Sequence, residues 1–205
     1  IIGFNSHVSV KPYEKKIELE KLNNQNLKMI SKELVFSNSG EGIIIKGQTT
    51  KGIILRGYSK EDFSKLEIVR NKNFLGNRNS LSKNFISISK ELSFILNVKI
   101  GDDITIMSPS GVETIIGNLP KQKTFTIISL FESGLIDFDN NVAFINLSSL
   151  EEFFNLDQKD RNLEIYLKKP QNIEIQKNIV QSIFTDELIY TWADMNKSLF
   201  SAIKV

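Results

Sequence analysis

Residues 101–139 read GDDITIMSPSGVETIIGNLPKQKTFTIISLFESGLIDFD, and this stretch is the most informative part of the sequence. It contains two apolar runs typical of β-strands, at residues 104–107 and 125–128. A hairpin normally closes within two to five residues, whereas here the whole segment from Pro109 to Pro120 separates the two runs. The segment is therefore too long for a tight turn.

The same segment is also too apolar for an ordinary surface loop. Its β-branched residues argue against disorder, because disordered segments are depleted in them. Two interpretations remain open from the residues alone: a protruding arm whose apolar side chains bind a partner, or a long hairpin folded back on its own domain. The large aliphatic residues concerned are Val112, Ile115, Ile116 and Leu119.

The composition of the chain excludes several classes of function. Its 205 residues suffice to bury a core as one domain or two small ones. The formal net charge is +2, and basic and acidic residues alternate without forming blocks, so nothing favours a nucleic-acid partner. No apolar run of 18 residues is present that would span a membrane. Because the chain lacks a starting methionine, we expect it to be a piece of a longer protein.

No residue pattern in the chain indicates catalysis or a cofactor. There is no cysteine, which excludes a catalytic thiol, a disulfide and a thiolate zinc site. The single histidine, His7, lies in an apolar run and is predicted to be structural. Residues 42–49 have the spacing of a phosphate-binding loop but lack its lysine, and residues 137–141 resemble the start of a calcium loop but are predicted to form a turn. We predict no enzyme activity, no metal and no cofactor.

Apolar periodicity predicts an α+β fold with a discontinuous first part. Residues 1–58 and 148–205 are predicted to form one α/β subdomain, and residues 59–147 a strand-rich insertion. Ser59 is predicted to cap a helix with Asp62 three positions on, and Ser148 to cap another. Helices are predicted over residues 13–33, 89–96, 148–154, 170–184 and 193–203, and strands over residues 2–10, 35–37, 42–47, 52–58, 85–88, 163–167 and 188–192.

Four ordered blocks of the sequence resemble those of one protein family. The first runs from Phe85 to Asp102, the second is GNLPKQKTF at residues 117–125, the third combines LFESG at residues 130–134 with Asp139 and AFI at residues 143–145, and the fourth is WADMNKSLFSA at residues 192–202. The chain thereby resembles the permeases of the lipoprotein-releasing ABC transporter, the LolC/LolE family within the MacB-like class.

This resemblance implies a location and a set of partners. The matching piece of the family is the periplasmic domain of an inner-membrane permease, with a porter-like α/β subdomain and a β-rich, sabre-like insertion. The family's partners are a periplasmic lipoprotein carrier (LolA-like), a second permease subunit, a cytoplasmic ATPase subunit (LolD-like) and the lipoprotein substrate. Because the ATPase is a separate subunit, the resemblance agrees with the absence of an ATP site.

The resemblance also assigns a role to the apolar segment. In LolC-type permeases a hairpin called the hook recruits the carrier, and residues 109–120 fall at its position. The implied carrier-binding residues are Pro109, Val112, Ile115, Ile116, Leu119 and Pro120, with Gln122 and Lys123 at the base of the hook. The family has arginine where this chain has Lys123, and lysine cannot make the bidentate contact with a carboxylate. Whether the permease is of LolC type, LolE type or a hybrid homodimer remains open.

Two alternatives remain. A MacB-like export pump has a similar periplasmic domain, and the hook argues against it. An FtsX-like regulator of a cell-wall hydrolase has a shorter extracellular domain, and the four blocks match it poorly.

Overall fold

The computed structural model describes residues 5–195, apart from the side chains of residues 110, 112–114 and 195. It divides the chain into two compact units: the first comprises Ile1–Phe36 and Asp157–Val205, and the second comprises Ser37–Leu156. Both units combine strands with helices, and the predicted α+β class is confirmed.

Strands provide most of the ordered secondary structure. They are β1 (Val8–Lys11), β2 (Ser31–Lys46), β3 (Thr49–Tyr58), β4 (Leu75–Gly76), β5 (Phe85–Ser89), β6 (Asp103–Thr114), β7 (Gly117–Phe131), β8 (Val142–Asn146), β9 (Asn162–Leu167) and β10 (Leu188–Thr191).

The helices are short. They are α1 (Gln25–Ile30), α2 (Lys60–Lys65), α3 (Glu67–Arg70), α4 (Lys90–Leu96), α5 (Ile136–Asn141), α6 (Leu147–Phe154), α7 (Ile173–Ile183) and α8 (Trp192–Met195). Three 3-10 turns accompany them, at Leu19–Asn23, Gln158–Asp160 and Pro170–Asn172.

The boundaries between the units differ from those expected at residues 58/59 and 147/148. Strand β3 pairs with β2 along its whole length and runs parallel to β8 from Ile54 onward. Helix α6 packs so closely on β3 that a Cβ atom at Gly57 would lie 3.0 Å from Cβ of Leu150. Because β3 pairs with β2 and β8, and α6 packs on β3, both elements belong to the second unit.

Three local predictions differ from the structure. The helix expected over residues 13–33 is a 3-10 turn followed by α1, which Asn24 caps by accepting from the backbone N–H of Asn26 at 2.9 Å. The strands expected at 35–37 and 42–47 are parts of the single strand β2. Helix α6 is capped by Asn146, whose side chain accepts from the N–H of Ser148, so Ser148 is not the cap.

In the first unit, β1 is the central strand between β10 and β9, and both neighbours run antiparallel to it. His7 lies just before β1 and is buried, and its Nδ1 atom accepts a hydrogen bond from the backbone N–H of Leu167 at 2.8 Å. This hydrogen bond gives His7 a structural role. The apolar core of this unit comprises Val8, Val10, Ile17, Leu27, Leu163, Ile165, Leu167, Val180 and Phe184.

Helix α8 begins directly after β10 with a reciprocal cap. The Asp194 carboxylate accepts from the backbone N–H and the hydroxyl of Thr191 at 3.0 and 2.9 Å, and from Lys177 Nζ at 3.0 Å. The N–H of Asp194 in turn donates to the Thr191 hydroxyl, which completes a capping box. These hydrogen bonds, led by the one from the Thr191 backbone, hold the pKa of Asp194 well below its usual value. Trp192, expected to end a strand, instead begins this helix.

We expect Asp194→Ala to destabilise the chain by about 1–2 kcal/mol at pH 7, since it removes a helix cap and an ion pair. Because the folded-state pKa is depressed, this contribution is present above the unfolded-state value near 4 and is lost as the pH falls toward the folded-state value. Urea unfolding of the wild-type chain and the variant at several pH values measures this contribution to the free energy of unfolding. The control is Glu174→Gln, at an exposed carboxylate. The argument is contradicted if the difference in unfolding free energy between the wild-type chain and Asp194→Ala stays constant down to pH 2.

In the second unit, the strand order is β2, β3, β8, β5, β7, β4, and β6 pairs with both β2 and β7. Strands β5 and β7 are parallel, whereas β6 and β7 form a long antiparallel hairpin. The core on one side of the sheet includes Ile86, Leu92, Ile104, Phe125 and Leu150. This core fixes the base of the β6–β7 hairpin.

Candidate functional site

The segment between the two apolar runs is a continuation of both strands. Strand β6 pairs with β7 from Asp103↔Thr126 to Ser108↔Lys121, and again from Val112↔Leu119 to Thr114↔Gly117. Only Ile115 and Ile116 form the turn. The expected long connection is therefore a hairpin that closes in two residues. Its outer part extends roughly 15 Å beyond Ser108 and Lys121 at the usual rise per residue.

The pairing is interrupted once, at the base of this outer part. The register shifts between Ser108 and Val112, so that Pro109, Ser110 and Gly111 stand opposite Pro120. Gly111 has φ = +49°, and a Cβ atom there would lie 2.4 Å from the carbonyl oxygen of Leu119. Both the backbone angle and the space therefore require glycine. The two prolines lie at this irregularity, which marks the base of the outer hairpin; we use the name hook for residues 109–120 without assigning them a function.

The far end of the hook is apolar and exposed. The exposed fractions are 106% for Ile115, 84% for Ile116 and 51% for Leu119. The positive φ angle at this turn falls on Gly117, at +116°, so the two isoleucines occupy the turn without adopting the left-handed conformation. Both isoleucine side chains therefore remain accessible at the tip of the hairpin in the part of the chain that the structure describes. Of Val112 only the backbone, paired with Leu119, is described.

The residues predicted at the base of the hook lie on opposite faces of β7. Successive side chains of a strand alternate, so Leu119, Lys121, Lys123 and Phe125 share one face, and Pro120 and Gln122 lie on the other. The buried Phe125 shows that the first face is the one that meets the core. Gln122 and Lys123 therefore cannot contact the same point on a partner.

Lys123 lies over an aromatic ring, with its Nζ atom 5.2 Å from the centroid of Phe125. Partial burial lowers the pKa of Lys123 below its usual value. The nearby cations Lys83 and Lys121 act in the same direction, and Glu152 opposes them. Lys123 is thus one member of a group of charges.

Lys121, Lys83 and Glu152 complete this group, and the sequence did not reveal them. Lys121 Nζ donates to the backbone carbonyl of Glu152 at 2.7 Å, and Lys83 Nζ lies 3.4 Å from Glu152 Oε2. Lys121 shares the face of Lys123 by simple strand alternation, which could have been read from the sequence. Lys83 and Glu152 come from separate parts of the chain, and only the fold brings them here.

The third sequence block, with Asp139, is structural. The Asp139 carboxylate is buried and accepts from the backbone N–H of Ser133 at 3.0 Å and of Gly134 at 3.3 Å. Gly134 has φ = +78°, which favours glycine. Residues 137–141 therefore belong to α5, which supplies this carboxylate, and the turn expected there is replaced by a helix.

Residues 42–49, with their phosphate-loop spacing, belong to β2, its tight turn and the start of β3. Within residues 5–195, no three histidine, aspartate or glutamate side chains are grouped so as to hold a metal ion. Over the same residues, no helix is long and apolar enough to cross a membrane.

Comparison with known proteins gives a consistent result. No family model matches the chain. The chain is 22% identical over 165 residues to the lipoprotein-releasing system transmembrane protein LolC of Xylella fastidiosa, covering 79% of this chain and 40% of that protein. It is 23% identical over 180 residues to LolC of Neisseria meningitidis serogroup B, covering 86% and 41%. The resemblance to LolC is confirmed. The chain spans about two fifths of the length of these LolC proteins.

Solved structures agree on the fold. The periplasmic region of MacB from Actinobacillus actinomycetemcomitans superposes with a TM-score of 0.54 at 11% identity, covering 97% of this chain and 94% of that one. The extracellular domain of the ABC-type transporter YknZ from Gram-positive bacteria gives 0.50 at 14% identity, covering 89% and 100%. The chain is therefore similar in sequence to LolC, and in fold to the periplasmic region of MacB and the extracellular domain of YknZ.

Proposed function

We propose that this chain is the periplasmic domain of an inner-membrane permease that releases lipoproteins, and that its hook recruits a soluble periplasmic carrier of LolA type. The single observation that carries the proposal is the pair of exposed isoleucines at the tip of a long hairpin. The similarity to LolC supports the lipoprotein substrate. In this proposal the chain is not catalytic, and a separate LolD-like ATPase and a second permease subunit complete the transporter.

In this proposal the two units have different roles. The first unit takes the porter-like role. The second unit takes the sabre-like role and bears the hook. A MacB-like export pump is the competing function, since the MacB periplasmic region shares the fold.

The double variant Ile115→Ser with Ile116→Ser tests the proposal. We expect the affinity for a purified LolA-like carrier to fall by at least roughly 30-fold, because an apolar anchor at an interface centre contributes about 2 kcal/mol or more. Surface plasmon resonance on the immobilised chain measures it. The matched control is Ile136→Ser in α5, because Ile136 is 73% exposed but lies outside the hook.

The expected result is a large loss of affinity with the hook variant and wild-type affinity with the control. Equal losses in both variants would mean that exposed apolar surface in general, not the hook, binds the carrier. A wild-type chain that captures no carrier at all would favour the export-pump function.

A further inference from the structure

We propose that the exposed side of helix α4 is a self-association surface, through which two copies of this chain pair about a two-fold axis. The inference goes beyond the proposed function, because it concerns contact between two identical chains and requires no carrier. We call this surface the α4 face. It comprises Glu91, Phe94 and Ile95 on the helix, with Lys99 and Ile100 just after it, and all five lie in the second unit.

The first argument is the way in which the helix divides its side chains. Leu92 and Leu96 are buried and belong to the apolar core of the second unit. Residues 91, 94 and 95 are exposed, and positions i, i+3 and i+4 of a helix lie on one side. The outer side of α4 therefore presents two large apolar residues next to each other, where polar residues are typical.

The second argument is the exposure of Phe94. Its exposed fraction is 83%, whereas every other phenylalanine within residues 5–195 is buried or half-buried. Ile95 and Ile100 are also accessible, at 41% and 40%. An exposed aromatic ring with aliphatic neighbours is typical of the centre of a protein–protein contact.

The third argument is the charge on either side of this apolar centre. Glu91 precedes Phe94 by three positions, and Lys99 follows Ile95 by four. Both charged residues are exposed, and neither has an ion-pair partner in the part of the chain that the structure describes. One carboxylate and one ammonium group thus flank the apolar centre without a partner of opposite charge.

These opposite charges identify the occupant of the α4 face as a second copy of the same chain. A two-fold axis through Phe94 and Ile95 reverses the direction of α4, so Glu91 of each copy faces Lys99 of the other. The apolar residues then cover one another, and two ion pairs form at the rim. The surface is therefore complementary to itself in both apolar cover and charge.

The contact is expected to be weak. The α4 face is one helix of seven residues with the turn that follows it, which is smaller than the about 800 Å² per partner of a standard interface. We therefore expect a dissociation constant on the order of 100 μM for the free chain. Such an affinity suffices where two copies are anchored close together, because tethering raises their effective concentration to about the millimolar range.

Sedimentation equilibrium of the 205-residue chain at high-micromolar concentrations tests the inference. We expect Phe94→Ser to raise the dissociation constant at least roughly ten-fold, because it removes the central anchor. The control is Ile175→Ser, at a residue of α7 that is 67% exposed, and it should leave the association unchanged. Circular dichroism with thermal unfolding verifies the fold of each variant.

Charge exchange tests the two-fold arrangement. Glu91→Lys alone and Lys99→Glu alone should each weaken self-association roughly five-fold at low salt, because like charges then face each other. An equimolar mixture of these two variants should associate at least as tightly as the wild-type chain, since the mixed dimer pairs only opposite charges.

Rescue in the mixture would support the inference, because a folding defect in one variant cannot be repaired by the other. A wild-type chain that stays monomeric, or a Phe94→Ser variant that associates like the control, would overturn it. Phe94-dependent binding of a monomeric chain to vesicles containing phosphatidylglycerol would assign the α4 face to a membrane and overturn it as well. None of these measurements uses a carrier, so a failure here is distinct from a failure of the proposed function.

Discussion

Replacing residues 109–120 by Asn-Gly is expected to abolish carrier capture at micromolar concentrations while leaving the fold intact. Ser108 and Lys121 are directly paired, so a two-residue turn can rejoin β6 and β7 at this position. The replacement removes every exposed apolar residue of the hook and none of the buried core. The effect should therefore exceed that of any single substitution. Surface plasmon resonance with the LolA-like carrier measures it, and circular dichroism with thermal unfolding verifies the fold.

A control for this replacement keeps the hook length but changes its chemistry. A chain with Ile115, Ile116 and Leu119 all changed to Ser retains the backbone register and should lose capture almost as completely. If the shortened chain captures the carrier with wild-type affinity, the carrier binds elsewhere and the hook assignment is wrong. If the shortened chain fails but the triple-serine chain binds normally, backbone contacts rather than apolar side chains carry the affinity.

The second large effect is expected at Asp139. Asp139→Ala leaves the backbone N–H groups of Ser133 and Gly134 without their acceptor, and Ser133 is buried. Buried donors without a partner are costly, and we expect a loss of roughly 3 kcal/mol and a fall in the thermal midpoint on the order of 10 °C. Differential scanning calorimetry measures both.

Asp137→Ala is the matched control, since Asp137 is an exposed carboxylate in the first turn of the same helix, α5. It should change the thermal midpoint by little. A similar loss in both variants would show that helix α5 depends on its acidic residues for charge alone, and that the hydrogen bonds to the Ser133–Gly134 turn contribute nothing.

The sequence predicted the parts of the fold that depend on local patterns. The α+β class, the cap at Ser59 and the helix after β5 follow from periodicity and capping residues, and the structure shows them. The continuous strand β2 was missed, because Ser39 and Gly40 interrupt its apolar pattern, although both pair with β3. Gly40 is required there because a Cβ atom would meet the Phe154 ring at 2.5 Å. That ring is supplied by α6, which is remote in sequence.

Local sequence patterns also predict part of the candidate site. The two isoleucines lie in one apolar segment between Pro109 and Pro120, so composition alone draws attention to them. The separation of Gln122 from Lys123 follows from strand alternation once the hairpin is recognised as continuous. Lys83 and Glu152 could not be predicted, because their proximity to β7 depends on how α6 packs against the sheet.

The central position of β1 has a consequence for the order of folding. Its partners β9 and β10 lie at the other end of the chain, and His7 accepts its hydrogen bond from Leu167 across 160 residues. A chain that emerges from the ribosome N-terminus first cannot form these contacts until the residues of β9 and β10 have been synthesised. The second unit is continuous in sequence and is ready to fold first. Once folded, the second unit is a compact connection between the two segments of the first unit. Those segments then lose less conformational entropy on pairing than they would if a long flexible loop joined them.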